Sequence, residues 1–176
     1  MKVYGKEIPL DKAICLALYY GIAQFLPTKA GRAVRYSLCR RIFRHCGQNV
    51  HIERRAHFGN GLKVEIGDNS GIGPHARIPN DTIIGNCVMM GPNCHIYDRN
   101  HITADLSKPM CMQGSSAPLQ TVIGDDVWIG TDVFMTPGRH VASHSIIAAH
   151  CVLTKDFPEY SVVGGNPSRI LKDRRL

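Results

Sequence analysis

The sequence has little of what marks several common classes of protein. Aromatic residues make up only 7% of its 176 residues, so its basic residues lack the aromatic-rich face of a nucleic-acid-binding surface. Its seven cysteines are odd in number and form no CxxC pair. Together with the lack of a recognisable signal peptide, this predicts a chain kept reduced in the cytoplasm. The longest apolar stretch is about 14 residues, shorter than the roughly 20 that span a bilayer.

The net charge of +7 indicates an anionic partner, because the lysines and arginines are concentrated in residues 29–55 and 169–175. An anionic cofactor and an anionic membrane surface each account for such basic segments as well as nucleic acid does. Since no aromatic-rich binding face accompanies the charge, the sequence predicts no nucleic-acid partner.

A hexad period dominates residues 66–153 of the chain. Bulky apolar residues recur at every sixth position: Ile66, Ile72, Ile78, Ile84, Met90 and Ile96, then, after a gap, Ile123, Ile129, Met135, Val141, Ile147 and Leu153. Six is neither a helical period nor plain strand alternation, and small and turn-forming residues fill the intervals. Three hexads describe a triangular coil with its bulky side chains inside. Such coils stack about 4.8 Å apart and bury their faces against one another.

The repeat predicts about five coils in all, the first of them around Ile52 and Phe58. The register slips by two positions between Phe58 and Ile66, which predicts a bulged corner at 59–61. Cys94 and Cys151 occupy inward positions and are predicted to be small core residues.

Three motifs resemble a known family: Ile123-Gly-Asp-Asp-Val-Trp-Ile-Gly, Val152-Leu-Thr-Lys-Asp and Val163-Gly-Gly-Asn-Pro-Ser-Arg-Ile. They are similar to those of the hexapeptide-repeat acyltransferases, above all the maltose, galactoside and polysaccharide O-acetyltransferases. The resemblance covers residues 48–172. It implies a mainly β fold, a left-handed parallel β-helix, and a homotrimer that uses acetyl-CoA with no metal. We expect an N-terminal helical segment, 1–47, and an acyltransferase domain, 48–176.

The break in the repeat, residues 97–120, predicts a protruding functional loop. The resemblance implies that His101 in this loop is the catalytic base. An imidazole titrates near neutrality, so it can accept the proton of a sugar hydroxyl as that hydroxyl attacks a thioester, without an acyl-enzyme. The alternative is that His101, one of nine histidines, is merely solvated.

The cofactor residues rest mainly on the resemblance. A backbone N–H at a coil corner can stabilise the oxyanion, and Gly130 or Thr131 is the candidate. The resemblance implies that Thr131, Ala149, Thr154 and Lys155 line the pantetheine and phosphates, and that Arg169 and Lys172 contact the nucleotide end. Ser168 and His150 depart from the family, which often has alanine and glycine there. Trp128 either walls the acyl site or covers the outside of the solenoid.

The acceptor pocket is less well specified. Asn80 and Asp81 lie where family members bind the sugar, with His75 one side earlier, and amides and carboxylates pair well with hydroxyls. An Asn-Asp pair is also a common turn. The resemblance therefore implies transfer of acetyl to a saccharide hydroxyl, as in polysaccharide or glycan biosynthesis, and the sequence does not name the acceptor.

Three other interpretations remain open. N-acetylation of an amino-sugar uses the same machinery. A zinc-dependent hydratase of the carbonic anhydrase type shares the fold and could draw on His95, His101, His140 or His144, but the chain lacks the tight histidine spacing of such enzymes. A purely structural β-helix would not need the loop.

The N-terminal segment predicts two helices, 11–25 and 31–45, that cover the open end of the solenoid. The alternative is that residues 11–45 contact the inner membrane surface, because an apolar helix precedes a basic one. The basic residues are Lys29, Arg32, Arg35, Arg40, Arg41 and Arg44.

Overall fold

The computed structural model describes residues 2–3 and 6–176, with side chains from Ile8 onward; residues 1, 4 and 5 of the predicted segment 1–47 lie outside the described residues. Two strands, β1 (Lys2–Val3) and β2 (Lys6–Glu7), pair antiparallel. Helix α1 (Leu10–Gly21) follows, then a 3₁₀ turn (Ala23–Phe25) and helix α2 (Thr28–Ile42). Within residues 8–176, no helix is long and apolar enough to cross a bilayer.

Helix α2 begins and ends earlier than the predicted 31–45. The chain leaves the helix at Phe43, whose ψ of 158° is extended, and strand β3 (His45–Cys46) already pairs with the solenoid. The sequence hides this first rung because Cys46, paired with Ile66, stands where later coils carry a bulky residue.

The helices close one end of the solenoid. Tyr19 is fully buried, packs its ring 4.6 Å from Phe58 and donates a 2.8 Å hydrogen bond to the Ala56 carbonyl. Because burial stabilises the neutral phenol, the pKa of Tyr19 is raised far above its ordinary value.

The helical pattern predicts that Arg35 is one of the exposed basic residues of the second helix, and this prediction is wrong. The side chain is 1% exposed and donates hydrogen bonds to the carbonyls of Ile52, Ala23 and Leu26 at 2.6–3.2 Å. These carbonyls belong to the first coil and to the end of the first helical region, so the guanidinium joins both to α2. Helical spacing cannot distinguish such an arginine from a solvated one.

Fourteen further strands build the solenoid and its C-terminal edge in the described residues. They are β4 (His51–Ile52), β5 (Glu65–Ile66), β6 (Gly71–Ile72), β7 (Ile83–Ile84), β8 (Met89–Met90), β9 (His95–Ile96), β10 (Val122–Ile123), β11 (Trp128–Ile129), β12 (Phe134–Met135), β13 (His140–Val141), β14 (Ile146–Ile147), β15 (Val152–Leu153), β16 (Ser161–Gly164) and β17 (Arg169–Asp173).

The strands form the three faces of the solenoid, and the strands within each face run parallel to one another. Face A contains β3, β5, β7, β10 and β13; face B contains β4, β6, β8, β11, β14 and β16; face C contains β9, β12 and β15, extended by bridges from His57 and Arg77. Strand β17 adds antiparallel to β16. The predicted mainly β fold, a left-handed parallel β-helix with an N-terminal helical region, is confirmed.

The register explains each irregularity in the repeat. Glu65 pairs with Ile83, three hexads later, whereas the step from His45 to its partner Glu65 is longer than three hexads. The surplus makes the predicted bulged corner, where Gly59 and Gly61 both have positive φ. Ile83 pairs with Val122 on the far side of the inserted loop, so the loop leaves the stack in register. Five complete coils and the start of a sixth result, close to the predicted five.

The core is the stack of inward hexad residues, each at most 9% exposed. Cys94 and Cys151 are fully buried among them, as predicted. Burial raises the pKa of the Cys94 thiol to about 11, which fits a structural rather than reactive role.

Candidate active site

The loop of residues 97–120 leaves the solenoid at the corner between faces C and A, here called the CA corner. Its two arms are joined by backbone hydrogen bonds from Leu119 N to Asp98 O (2.7 Å), Ser116 N to Asn100 O (2.8 Å) and Ile102 N to Gly114 O (3.1 Å). The loop therefore projects as an ordered stem, and a 3₁₀ turn (Met110–Met112) lies near its tip.

His101 lies in this stem, opposite Ser115, and is exposed. None of the described residues makes a hydrogen bond or an ion pair with its imidazole, so both ring nitrogens are open to a substrate. Just before it, Arg99 donates to both Asp98 oxygens at 3.1 and 2.9 Å. That hydrogen bonding lowers the pKa of Asp98 below its ordinary value.

Asp81 lies beneath the loop. Its main-chain carbonyl accepts a 2.7 Å hydrogen bond from the Gln120 amide, which ties the returning arm of the loop to the solenoid. Its Oδ1 is buried, and no hydrogen-bond partner for this atom exists among the described residues. Asn80 and Asp81 form a turn, as the alternative interpretation of this pair expects, and stand at the base of the loop.

The corner between faces B and C, the BC corner, presents unused backbone donors. Here coils 2 and 3 carry Pro74 and Pro92, which have no N–H. The equivalent residues of coils 4 and 5 are Thr131 and Ala149, and no acceptor for their N–H groups exists in the described part of the chain. These two open N–H groups lie on successive coils along one edge of the triangular solenoid.

The corner between faces A and B, the AB corner, is different. There a side chain from the next coil caps the N–H of coils 2 to 4: Asp68 N donates to Asn86 Oδ1 (2.9 Å), Asn86 N to Asp125 Oδ1 (2.6 Å) and Asp125 N to Ser143 Oγ (3.0 Å). Open donors at the BC corner are therefore a local property rather than a rule of the fold. They can bind a carbonyl or an oxyanion.

Gly130 cannot supply the oxyanion donor, because its N–H donates a 2.8 Å hydrogen bond to Ile147 O within the ladder. Of the two residues predicted to donate to the oxyanion, only Thr131 remains a candidate. His150, next to Ala149, leans toward Asp132 with its Nδ1 3.9 Å from a carboxylate oxygen, so an imidazole does border this corner. Trp128, on the preceding strand, points outward from face B and is 52% exposed.

The remaining cofactor candidates fall into two places. Arg169 pairs with Gly164, one coil beyond Ala149, and so continues the BC corner, while Lys172 pairs with Val162 farther along β17. Thr154 and Lys155 lie at the CA corner. The Thr154 N–H donates to the hydroxyl of Ser168 at 3.1 Å, so this departure from the family makes a structural contact.

The predicted site residues thus form two groups in one chain. His101, Thr154 and Lys155 belong to the CA corner, whereas Thr131 and Ala149 belong to the BC corner, at the other end of face C. One hexad side separates the corners, roughly 20 Å of extended chain.

Face C carries two open grooves between these corners. One, of about 420 Å³, is lined by Asn80, Tyr97 and Asp98 beside the loop. The other, of about 550 Å³, is lined by His75, Asn93 and Asp132 near the BC corner. Arg77 borders both. The predicted acceptor residues Asn80 and His75 are therefore on one face but in separate grooves.

Within residues 8–176, no three His, Cys, Asp or Glu side chains come together as metal ligands. The histidines considered for zinc are dispersed. His95 lies on face C, His101 on the loop, His140 on face A and His144 at the AB corner, where it contacts Asp126 at 3.0 Å.

Two features were missed in the sequence. The open N–H groups could have been found by aligning Pro74 and Pro92 with Thr131 and Ala149 in the three-hexad repeat. Arg77 could have been found because it directly precedes an inward residue, as do His57 and His95 on the same face.

Known proteins resemble the chain in sequence and in fold. It is 30% identical over 142 residues to the galactoside O-acetyltransferase of Escherichia coli K12, covering 79% of this chain and 68% of that one. No protein-family model matches the chain.

Two solved structures extend the comparison. The hexapeptide-repeat acetyltransferase VCA0836 of Vibrio cholerae, solved in complex with acetyl coenzyme A, superposes with a TM-score of 0.78 at 30% identity, covering 93% of this chain and 86% of that one. A maltose O-acetyltransferase of Clostridium difficile 630 gives 0.73 at 28% identity, with the same coverage.

Proposed function

The chain belongs to the hexapeptide-repeat acetyltransferases, and we propose that it transfers the acetyl group of acetyl-CoA to a hydroxyl of a saccharide, with His101 as the general base. It is an acyltransferase of the galactoside and maltose O-acetyltransferase type. The observation that carries the proposal is the exposed, unpartnered His101 on an ordered loop, in a chain whose BC corner keeps open backbone donors.

His101 would act on the acceptor. Its free ring nitrogen accepts the proton of the saccharide hydroxyl while the oxygen attacks the thioester carbonyl carbon. The stem hydrogen bonds on either side of His101 hold the main chain, so little conformational freedom is lost when the imidazole meets its substrate.

Thr131 would act on the developing negative charge. When the acceptor oxygen bonds to the carbonyl carbon, the carbonyl oxygen becomes an oxyanion, and the Thr131 N–H is an unpaired donor ready for it. The intermediate then collapses, the C–S bond breaks, and the departing thiolate takes the proton from the His101 imidazolium. The products are the O-acetyl saccharide and coenzyme A.

We propose that the two groups of site residues meet between subunits of a homotrimer. In one chain they stand at different corners of the prism, whereas cyclic symmetry can bring the CA corner of one subunit against the BC corner of the next. His101, Thr154 and Lys155 would then face Thr131 and Ala149 of the neighbouring subunit.

The exposed apolar surface supports this assembly. Five large apolar side chains of the loop are 41–96% exposed in the single chain: Ile102, Leu106, Met110, Met112 and Leu119. Met89 and Trp128, paired on adjacent coils of face B, are 60% and 52% exposed beside the BC corner. A neighbouring subunit would cover apolar surface of this kind.

The test is acetyl transfer by purified protein, followed as free thiol released from acetyl-CoA in the presence of sugars, amino-sugars and sugar nucleotides. His101→Ala should lose about 10²–10⁴-fold in kcat, the usual contribution of a general base, without a change in Tm. His140→Ala, which removes an exposed histidine of face A, is the matched control and should remain active. Full activity in His101→Ala, or acetylation of amines only, would contradict the proposal.

We also propose that the N-terminal helices contact an anionic membrane surface in the cytoplasm, near a saccharide made there. Helix α1 and its end carry an exposed apolar stripe of Leu10, Ile14, Leu18 and Ile22, each at least 46% exposed. Residues 8–55 hold nine lysines and arginines, of which only Arg35 is buried, against two carboxylates. An apolar stripe with basic residues beside it suits a lipid interface.

Co-sedimentation decides this second proposal. The protein should pellet with vesicles of phosphatidylcholine and phosphatidylglycerol at low salt, and should stay in solution with phosphatidylcholine alone. The double variant Ile14→Asn and Leu18→Asn should stay in solution with both. Equal behaviour of wild type and variant would leave the helices as an end cap only.

A further inference from the structure

Face C carries a column of basic side chains on its outer surface. His57, Arg77 and His95 are joined by parallel bridges in register on three successive coils. Neighbouring strands lie about 4.8 Å apart, so each side chain stands directly beside the next. Arg77 is the permanent charge of this column, and a cation beside an imidazole disfavours the protonated form of that imidazole.

Arg77 has no partner in the described part of the chain that offsets its charge. Two other arginines near this face are paired, Arg99 with Asp98 and Arg139 with Asp156. Among the described residues, neither a carboxylate nor an aromatic ring contacts the Arg77 guanidinium. Burial, and then the charge of Arg77, lower the pKa of His57. The face therefore holds an uncompensated cation that an anion would neutralise.

The groove beside Arg77 has the other groups that a sugar needs. Tyr97 lines the groove of about 420 Å³, and its exposed ring stacks on Phe134 of the neighbouring groove with ring centroids 4.9 Å apart and an interplanar angle of 27°. Such a ring surface can pack against the apolar face of a pyranose. Asn80 lines the same groove and offers an amide to hydroxyl groups. The lining carboxylate, Asp98, is already neutralised by Arg99.

We infer that this groove selects an acceptor saccharide that carries an anionic group, a phosphate or a carboxylate, and that Arg77 binds that group. The inference rests on the proposed transfer to a saccharide and names its substrate class. The guanidinium can hold either anion with two parallel hydrogen bonds. His101 follows shortly after Tyr97 in the chain, so an acceptor in the groove lies at the root of the loop that bears the base.

Direct binding tests the inference without catalysis. Glucose 1-phosphate, glucuronate and glucose are titrated into the protein with coenzyme A present, while the imidazole signals of His57 and His95 are followed by NMR. We expect at least one of the two anionic sugars to bind and shift these signals, and glucose to bind at least tenfold more weakly. The anionic sugar that binds more strongly identifies the preferred group as a phosphate or a carboxylate.

Two variants locate the charge. Arg77→Gln should weaken the anionic sugar by about 10–100-fold, the range for losing a hydrogen bond to a charged group, and leave glucose unchanged. Arg41→Gln, which removes an exposed arginine of α2 that has no partner among the described residues, is the matched control and should bind as wild type. Equal binding of charged and neutral sugars, or unchanged binding in Arg77→Gln, would overturn the inference.

Kinetics separate this inference from the proposed function. If acetyl transfer occurs, Arg77→Gln should raise KM for the charged acceptor and leave KM for acetyl-CoA unchanged; a rise for acetyl-CoA alone would assign Arg77 to the donor. If no sugar is acetylated, the proposed function fails while the binding titration still decides on the anion site.

Discussion

Replacing Thr131 with proline tests the oxyanion donor while preserving the fold. Proline lacks an N–H and would destroy a ladder hydrogen bond at most positions of a sheet. At Thr131 the N–H has no acceptor among the described residues, and coils 2 and 3 already place Pro74 and Pro92 at the equivalent corner. The carbonyl side is also equivalent, since the oxygens of Pro92 and Thr131 both accept a 2.9 Å hydrogen bond from the next coil.

The expected loss follows from the number of donors removed. Thr131→Pro deletes a single N–H, and loss of one oxyanion donor costs about 10²–10³-fold in kcat, or roughly 3–4 kcal/mol of transition-state stabilisation. The stability of the fold should change by less than about 1 kcal/mol, because proline suits this corner and restricts the unfolded chain. A large kinetic effect with a small effect on Tm is therefore the expected signature.

The assay is thiol release from acetyl-CoA with a fixed acceptor, together with thermal unfolding. Thr131→Ala is the matched control: it removes the hydroxyl, which contacts Pro92 O at 3.3 Å, but keeps the N–H, and it should retain most of the activity. If Thr131→Pro folds and turns over as fast as Thr131→Ala, the N–H does not stabilise the oxyanion and the reasoning is refuted.

Three further outcomes follow from the described contacts. Lys155→Gln or Arg169→Gln should weaken coenzyme A more than dephospho-coenzyme A in a competition assay if the residue meets the 3′-phosphate, and equal losses would place it at the pyrophosphate instead. Arg77→Gln should raise the pKa of His57 in an NMR titration, since one of the two causes lowering it is gone. The folded wild type binds fewer protons at His57 than the unfolded chain, so it loses stability as the pH falls below about 6.5, and the variant should lose less; identical titrations would contradict the contact. Gly91→Ala should lower stability by about 1–3 kcal/mol in denaturant unfolding, because the new Cβ would lie 2.7 Å from the Gly130 backbone; an unchanged midpoint would show that the coils can separate.

The hexad register predicted the fold well because the inward residue of almost every hexad is bulky and apolar, so the sequence itself marks each buried position. A residue such as Ile129 has its next rung one hexad away along the chain and its stacked partner, Ile147, three hexads away, so a one-dimensional count recovers a three-dimensional position. The first coil escaped the count because Cys46 is too small to mark its rung.

The site was only partly predictable because it depends on hydrogen-bond accounting and on contacts between distant elements. Only the prolines of coils 2 and 3, aligned with Thr131, indicate that its N–H is open, whereas the N–H of Gly130 is used in the ladder; the hexad count alone treats the two residues alike. The burial of Arg35 likewise depends on three carbonyls from separate elements. The loop was predictable as a break in the repeat, and the position of His101 within its stem required the structure.

The most direct test of a site shared between subunits is complementation between two inactive variants. His101→Ala and Thr131→Pro damage different corners, so a mixed trimer contains one junction at which an intact loop meets an intact corner. Random reassembly of an equal mixture should recover about a quarter of the wild-type activity, since three in four trimers are mixed and each has one working site of three. Reassembled homotrimers of either variant should stay inactive. If the mixture also stays inactive, the two groups do not meet between subunits and the account is contradicted.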